Sequence, residues 1–183
     1  MDFEHVLTAL LNEFDRRQIR YAVVGGFAMG ALGAPRMTMD LDILVDRDDL
    51  QGVDQVMSGV GYLRFAQTAH VTHYRHPDAR WGAIDVIHAF RQLAREMVSR
   101  AKPHPIFGST RTIQVAEPED VIGLKVQAIA NNPDRRLQEQ ADIERLLAAH
   151  QDRVDWARIQ EYYELFEMGE EARRLKERFG HAQ

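Results

Sequence analysis

The 183-residue chain contains no cysteine. Structural disulfides, thiolate zinc centres and cysteine nucleophiles are therefore excluded. Long apolar runs are also missing, and none approaches the ~20 residues that a bilayer-spanning helix needs. The opening residues Met1 to His5 lack the basic and apolar regions of a signal peptide, so a cytoplasmic protein with no membrane partner is expected. Positive charge is not in excess either. Lys and Arg number 23 against 28 Asp and Glu, a formal net charge of -5. That rules out a globally basic coat for nucleic acid and leaves room for a local basic patch. There is no Gly-Lys-Ser/Thr of a Walker A loop, no G-x-G-x-x-G dinucleotide fingerprint and no H-E-x-x-H of a zinc protease. Internal repeats and low-complexity segments are absent from the sequence as well.

What is present suits a compact fold. Hydrophobic residues make up 45% of the chain, enough to bury a core without covalent staples. Apolar residues at helical spacing predict a helix over residues 2–18, and the run Tyr21-Ala22-Val23-Val24 predicts a buried strand. A short helix from Phe27 to Leu32, ended by Gly33 and Pro35, should follow. Further strands are predicted over 40–45, 62–66, 70–75, 83–88 and 111–115, with helices over 48–60 and 90–100. The stretch around Pro103 and Pro105 reads as a loop. After Glu117-Pro118-Glu119-Asp120, a strong helix start, helices are predicted over 118–131, 134–149, 154–166 and 169–179. The expected organisation is an α/β part over residues 1–115 and a helical part over residues 116–183 packed on it.

Chemistry concentrates in the aspartates. Along a strand, side chains alternate faces, so Asp40 and Asp42 point one way while Leu41 and Ile43 point the other. Aspartate is a poor strand former, and two on one face call for compensation by water or by cations. Asp85, within Ile84-Asp85-Val86-Ile87, repeats the pattern. If its strand lies beside the first, three carboxylates converge and repel one another. A pair of Mg²⁺ ions roughly 3.5–4 Å apart is the usual arrangement for in-line displacement at phosphorus. The alternative is that these are solvent-facing residues at strand ends.

Other residues add to the candidate site. Gly25 and Gly26 lie between a strand and a helix, where bare backbone can approach a phosphate; ordinary tight turns use the same pair. Arg36 could neutralise phosphate charge, and Thr38, two residues before Asp40, could donate a hydrogen bond to it. His70, His73 and His76 are spaced by three, which sends successive strand side chains to opposite faces, so they read as exposed or structural histidines. Arg173, Arg174, Lys176 and Arg178 read as a solvated charged helix face.

Taken in order, Gly25-Gly26-Phe27-Ala28, the run Arg36 to Val45 containing Asp40-Leu41-Asp42, and Ile84-Asp85-Val86-Ile87 resemble the nucleotidyltransferase superfamily that includes DNA polymerase β and the minimal nucleotidyltransferases. The likeness is to its AbiEii-type branch in particular, which includes bacterial toxins. Glu119 to Lys125 resembles that family's helical segment, and the similarity spans about residues 20 to 147. The resemblance implies an α+β fold, a small mixed β-sheet flanked by helices with a helical C-terminal part. It implies transfer of a nucleoside monophosphate from an NTP to a hydroxyl or phosphate acceptor, with release of pyrophosphate. Asp40, Asp42 and Asp85 would hold Mg²⁺ (or Mn²⁺), with Asp85 also activating the acceptor. Gly25 and Gly26 would cradle the triphosphate, with Arg36, Thr38 and Lys125 as further nucleotide contacts. Implied partners are an NTP, an acceptor such as tRNA or protein, and an antitoxin. One departure stands out: where family members often carry Lys-Asp ahead of the position of Asp142, this chain has Gln138 and Glu139. That departure motivates an alternative, a non-catalytic nucleotide- or partner-binding module on the same scaffold. A transferase for a small antibiotic-like hydroxyl compound is a third option.

Overall fold

Helix α1 (Phe3–Arg17) opens the protein in a computed structural model that describes residues 1–108, 111–151 and 153–180. Asp2 caps the helix by accepting from the backbone N–H of His5 at 3.1 Å. Its apolar stripe of Val6, Leu7, Leu10, Leu11 and Phe14 is buried, as the helical period demands. The described residues divide into two compact units. One comprises Met1–Ala31 and Arg36–Ala116, and the other Leu32–Pro35 and the chain from Glu117 onward.

The first unit is built on strands β1 (Tyr21–Val24), β2 (Asp40–Asp46), β3 (Leu63–Gln67), β4 (Val71–Arg75), β5 (Ala83–Ala89), β6 (Lys102–Pro105) and β7 (Thr112–Val115). They form one sheet in the order β3-β4-β5-β2-β1-β7-β6. The sheet is mixed. β2 runs parallel to β5 and β1 parallel to β7, while the other neighbours are antiparallel. Helices α2 (Gly25–Ala31), α3 (Leu50–Gly59) and α4 (Gln92–Arg100) complete the unit. Leu41, Ile43, Val45, Ile84 and Val86 are each no more than 1% exposed. Burial of such side chains contributes about 1.5–3 kcal/mol apiece, which fixes the register. Slipping either strand by one residue would turn Asp42 or Asp85 into this core.

The second unit contains α5 (Pro118–Asn131), α6 (Arg136–Ala149), α7 (Trp156–Glu164) and α8 (Gly169–Phe179). Pro118 occupies the first turn of α5, where its missing N–H costs nothing. Gly123 lets α5 and α7 approach closely: a β-carbon there would fall 2.7 Å from the Tyr162 ring. The Tyr162 hydroxyl in turn donates to Asp120 at 2.5 Å.

Several sequence expectations need local correction. The helix expected from Phe27 to Leu32 begins at Gly25 and ends at Ala31. The helix expected over 48–60 starts as a 3₁₀ turn, Arg47–Asp49, before becoming α-helical. The one expected from residue 90 begins at Gln92. The Pro103–Pro105 stretch, expected as a loop, is β6. That strand lies at the sheet edge and, among the described residues, pairs only with β7, where a residue without an N–H is tolerated.

Candidate active site

β2 and β5 run parallel with Asp42 beside Asp85, in a register that also aligns Leu41 with Ile84 and Ile43 with Val86. The apolar partners sink into the core and leave the two aspartates on the opposite face. β4 continues the row, because His73 pairs in register with Asp85. On the other side, Val24 of β1 pairs with Asp42. Asp40, two residues before Asp42, shares its face by strand alternation and is exposed at the start of β2. The three aspartates are therefore carried by two adjacent strands.

The glycines meet this row through packing. Gly25 has φ +64°, and any β-carbon there would collide with the Asp42 carboxylate. At Gly26 a β-carbon would lie 2.6 Å from the Thr38 hydroxyl oxygen and 3.1 Å from an Arg36 guanidinium nitrogen. Seven of the eight candidate residues thus belong to this one region. Thr38 donates to the backbone carbonyl of Asp40 at 3.2 Å, and Arg36 donates to that of Met37 at 3.1 Å.

The eighth residue, Lys125, belongs to the second unit. It is buried there, with its ammonium donating to Glu139 at 2.9 Å and Asp142 at 2.7 Å. Arg135 donates to Glu139 as well, while Arg136 pairs with Glu171 at 2.9 Å. The charge of Glu139 is thus used within the helices, and Gln138 is exposed.

His73 is the residue that sequence reasoning passed over. A carboxylate only accepts, so the imidazole donates through Nδ1 to Oδ1 of Asp85, at 2.7 Å. The three-residue spacing of the histidines does separate their surroundings: His76 stacks on Trp81, His70 meets the edge of Phe90, and His73 meets the carboxylate. Alternation within 71–75, where Thr72 and Tyr74 are buried, turns His73 to the other face, but that pattern does not say that β4 lies beside β5. On that buried side, His88 accepts from the Thr72 hydroxyl at 2.9 Å and donates to the Ala69 carbonyl at 3.2 Å. Burial holds the His88 pKa below its ordinary value.

Asp42 and Asp85 at paired register positions, with Asp40 on the same face, carry hard oxygen donors of the kind Mg²⁺ takes. Among the described residues, no group of three or more His, Asp or Glu side chains is gathered as a ready metal site. Magnesium does not require one, since it is commonly held by one or two carboxylates together with substrate phosphates and water.

The comparisons bear on this geometry. A protein-family model described as an uncharacterised nucleotidyltransferase matches residues 3–173. No curated protein sequence matches the chain. Among solved structures, the antibiotic-resistance factor ANT(2'')-Ia aligns at a TM-score of 0.68 with 15% identity, covering 97% of this chain and 99% of that one. The lincosamide antibiotic adenylyltransferase LnuA, solved with lincomycin bound, aligns at 0.54 with 17% identity over 80% of this chain and 97% of its own. A putative nucleotidyltransferase from Thermotoga maritima aligns at 0.55 with 11% identity, over 76% and 92% respectively. At such identities the likeness is one of fold.

Proposed function

Because the chain belongs to a family of nucleotidyltransferases, we propose that it transfers a nucleoside monophosphate from an NTP to a hydroxyl or phosphate acceptor at the Asp40–Asp42–Asp85 face. The observation that carries this reading is the Asp42–Asp85 register pair across parallel strands, with Asp40 on the same face. Asp40, Asp42 and Asp85 would hold Mg²⁺ (or Mn²⁺), which neutralises the triphosphate when bound. Asp85 accepts the proton of the acceptor hydroxyl. The freed oxygen forms a bond to the α-phosphorus, and the bond from that phosphorus to pyrophosphate breaks. Arg36 and Thr38 contribute positive charge and a hydroxyl donor beside bare backbone at Gly25 and Gly26. Lys125, a nucleotide contact on the motif resemblance alone, donates to Glu139 and Asp142 of α6.

The acceptor reading that the surroundings favour is RNA. On β4, the strand next to Asp85, Arg75 shares the face of His73, and its guanidinium lies 3.9 Å from the centre of the Phe65 ring. Phe65 is exposed. A cation over an open aromatic ring suits a stacked base beside a phosphate. A tRNA acceptor and a toxin-like role with an antitoxin follow from the motif resemblance. The second reading, a small-molecule hydroxyl acceptor, is favoured by the fold shared with antibiotic-modifying enzymes.

The test is incubation of the purified protein with each α-labelled NTP, Mg²⁺ and a panel of total RNA, cell protein, aminoglycosides and lincosamides. Label on RNA supports the favoured reading. Label on an antibiotic supports the second, and NTP binding without turnover on any acceptor would sink both.

A further inference from the structure

We propose that His73 is a positioning residue for the transfer reaction, fixing the orientation of the Asp85 carboxylate; this rests on the function proposed above. His73, Asp85 and Asp42 occupy successive strands at paired register positions. Like charges held side by side across strands repel, and a carboxylate rotates about its last torsion with little restraint. The Nδ1–H donated to Oδ1 at 2.7 Å removes that freedom. It leaves Oδ2 as the oxygen that takes the proton of the incoming acceptor.

The imidazole itself sits on a well-anchored strand. On the reverse face, Tyr74 donates to Asp54 at 2.8 Å and Thr72 is bonded to His88, both being nearly inaccessible. The backbone at residue 73 is therefore held on both sides, and rigid support is what a positioning group requires. The pair is nonetheless open, with side-chain exposures of 39% for His73 and 30% for Asp85. An acceptor can reach the carboxylate without displacing the histidine.

Two measurements test this. In steady-state kinetics, His73→Ala should lower kcat about 10–100-fold, the usual range for losing a partner that orients a ligand or catalytic group. KM for the NTP should change little. His73→Asn, whose amide N–H can take the place of Nδ1–H, should recover most of the rate. An unchanged kcat in His73→Ala would overturn the proposal. So would equal losses in both variants accompanied by a lowered melting temperature, which would mark His73 as merely structural.

The second measurement needs no activity. Ring ¹⁵N spectra of the wild type should show Nδ1 protonated, and Asp85→Ala should shift that signal toward the Nε2–H form of free histidine. No response to Asp85→Ala overturns the proposal. If the wild type transfers nothing, the proposed function fails and these spectra alone judge the hydrogen bond.

Discussion

Gly25 adopts φ +64° with the Asp42 carboxylate where its side chain would be. An L-residue in that conformation costs about 1–2 kcal/mol, and the collision adds to it. Gly25→Ala is therefore expected to lower the melting temperature and to abolish transfer by displacing Asp42; a thermal melt alongside a transfer assay checks both. Asp42→Asn separates the two effects, removing transfer while leaving the melt close to wild type. His88 makes a prediction about pH. Its folded pKa lies below the ordinary 6.5 because it is buried, so the unfolded chain takes up the proton first. The stability it contributes is present above pH 6.5 and is lost as pH falls through that value toward the folded pKa. A melt series from neutral to acidic pH should show this decline, and His88→Gln should flatten it. At this scale Asp40, Asp42 and Asp85 were legible, since alternation with core residues forces their face. His73 was not, because the identity of the neighbouring strand is non-local information that a period-two pattern does not carry.

Among the elements, the ones with a strong period were legible and the ones decided by sheet position were not. α1 follows from its apolar stripe, and α5 from Pro118 with the acidic residues of its first turn. β6 carries two prolines that argue for a loop, and only its edge position pairing with β7 makes it a strand. The α5–α6 pair holds a second feature hidden from sequence: Lys125 buried between Glu139 and Asp142. Removing Lys125 leaves the two buried carboxylates only the largely exposed Arg135 and Arg145, at a cost of up to about 3–5 kcal/mol. Lys125→Met should therefore destabilise the helical unit by that order in urea denaturation, and a neutral effect would contradict the geometry.

For the molecule as a whole, net charge and composition set only broad limits. The order of the motifs along the chain pointed to the superfamily, and the family match over residues 3–173 and the shared fold place the chain among nucleotidyltransferases. No helix among the described residues is long and apolar enough to cross a membrane. The surroundings of Asp85 were not legible in the sequence, because they form only when β3, β4 and β5 assemble. The proposed transfer takes place where Asp42 and Asp85 pair in register. The most direct check is Mg²⁺-dependent transfer of label from an α-labelled NTP by wild type, Asp42→Asn and Asp85→Asn, each shown to be folded by circular dichroism. The wild type should transfer label and neither variant should. Undiminished transfer by Asp85→Asn would contradict that placement.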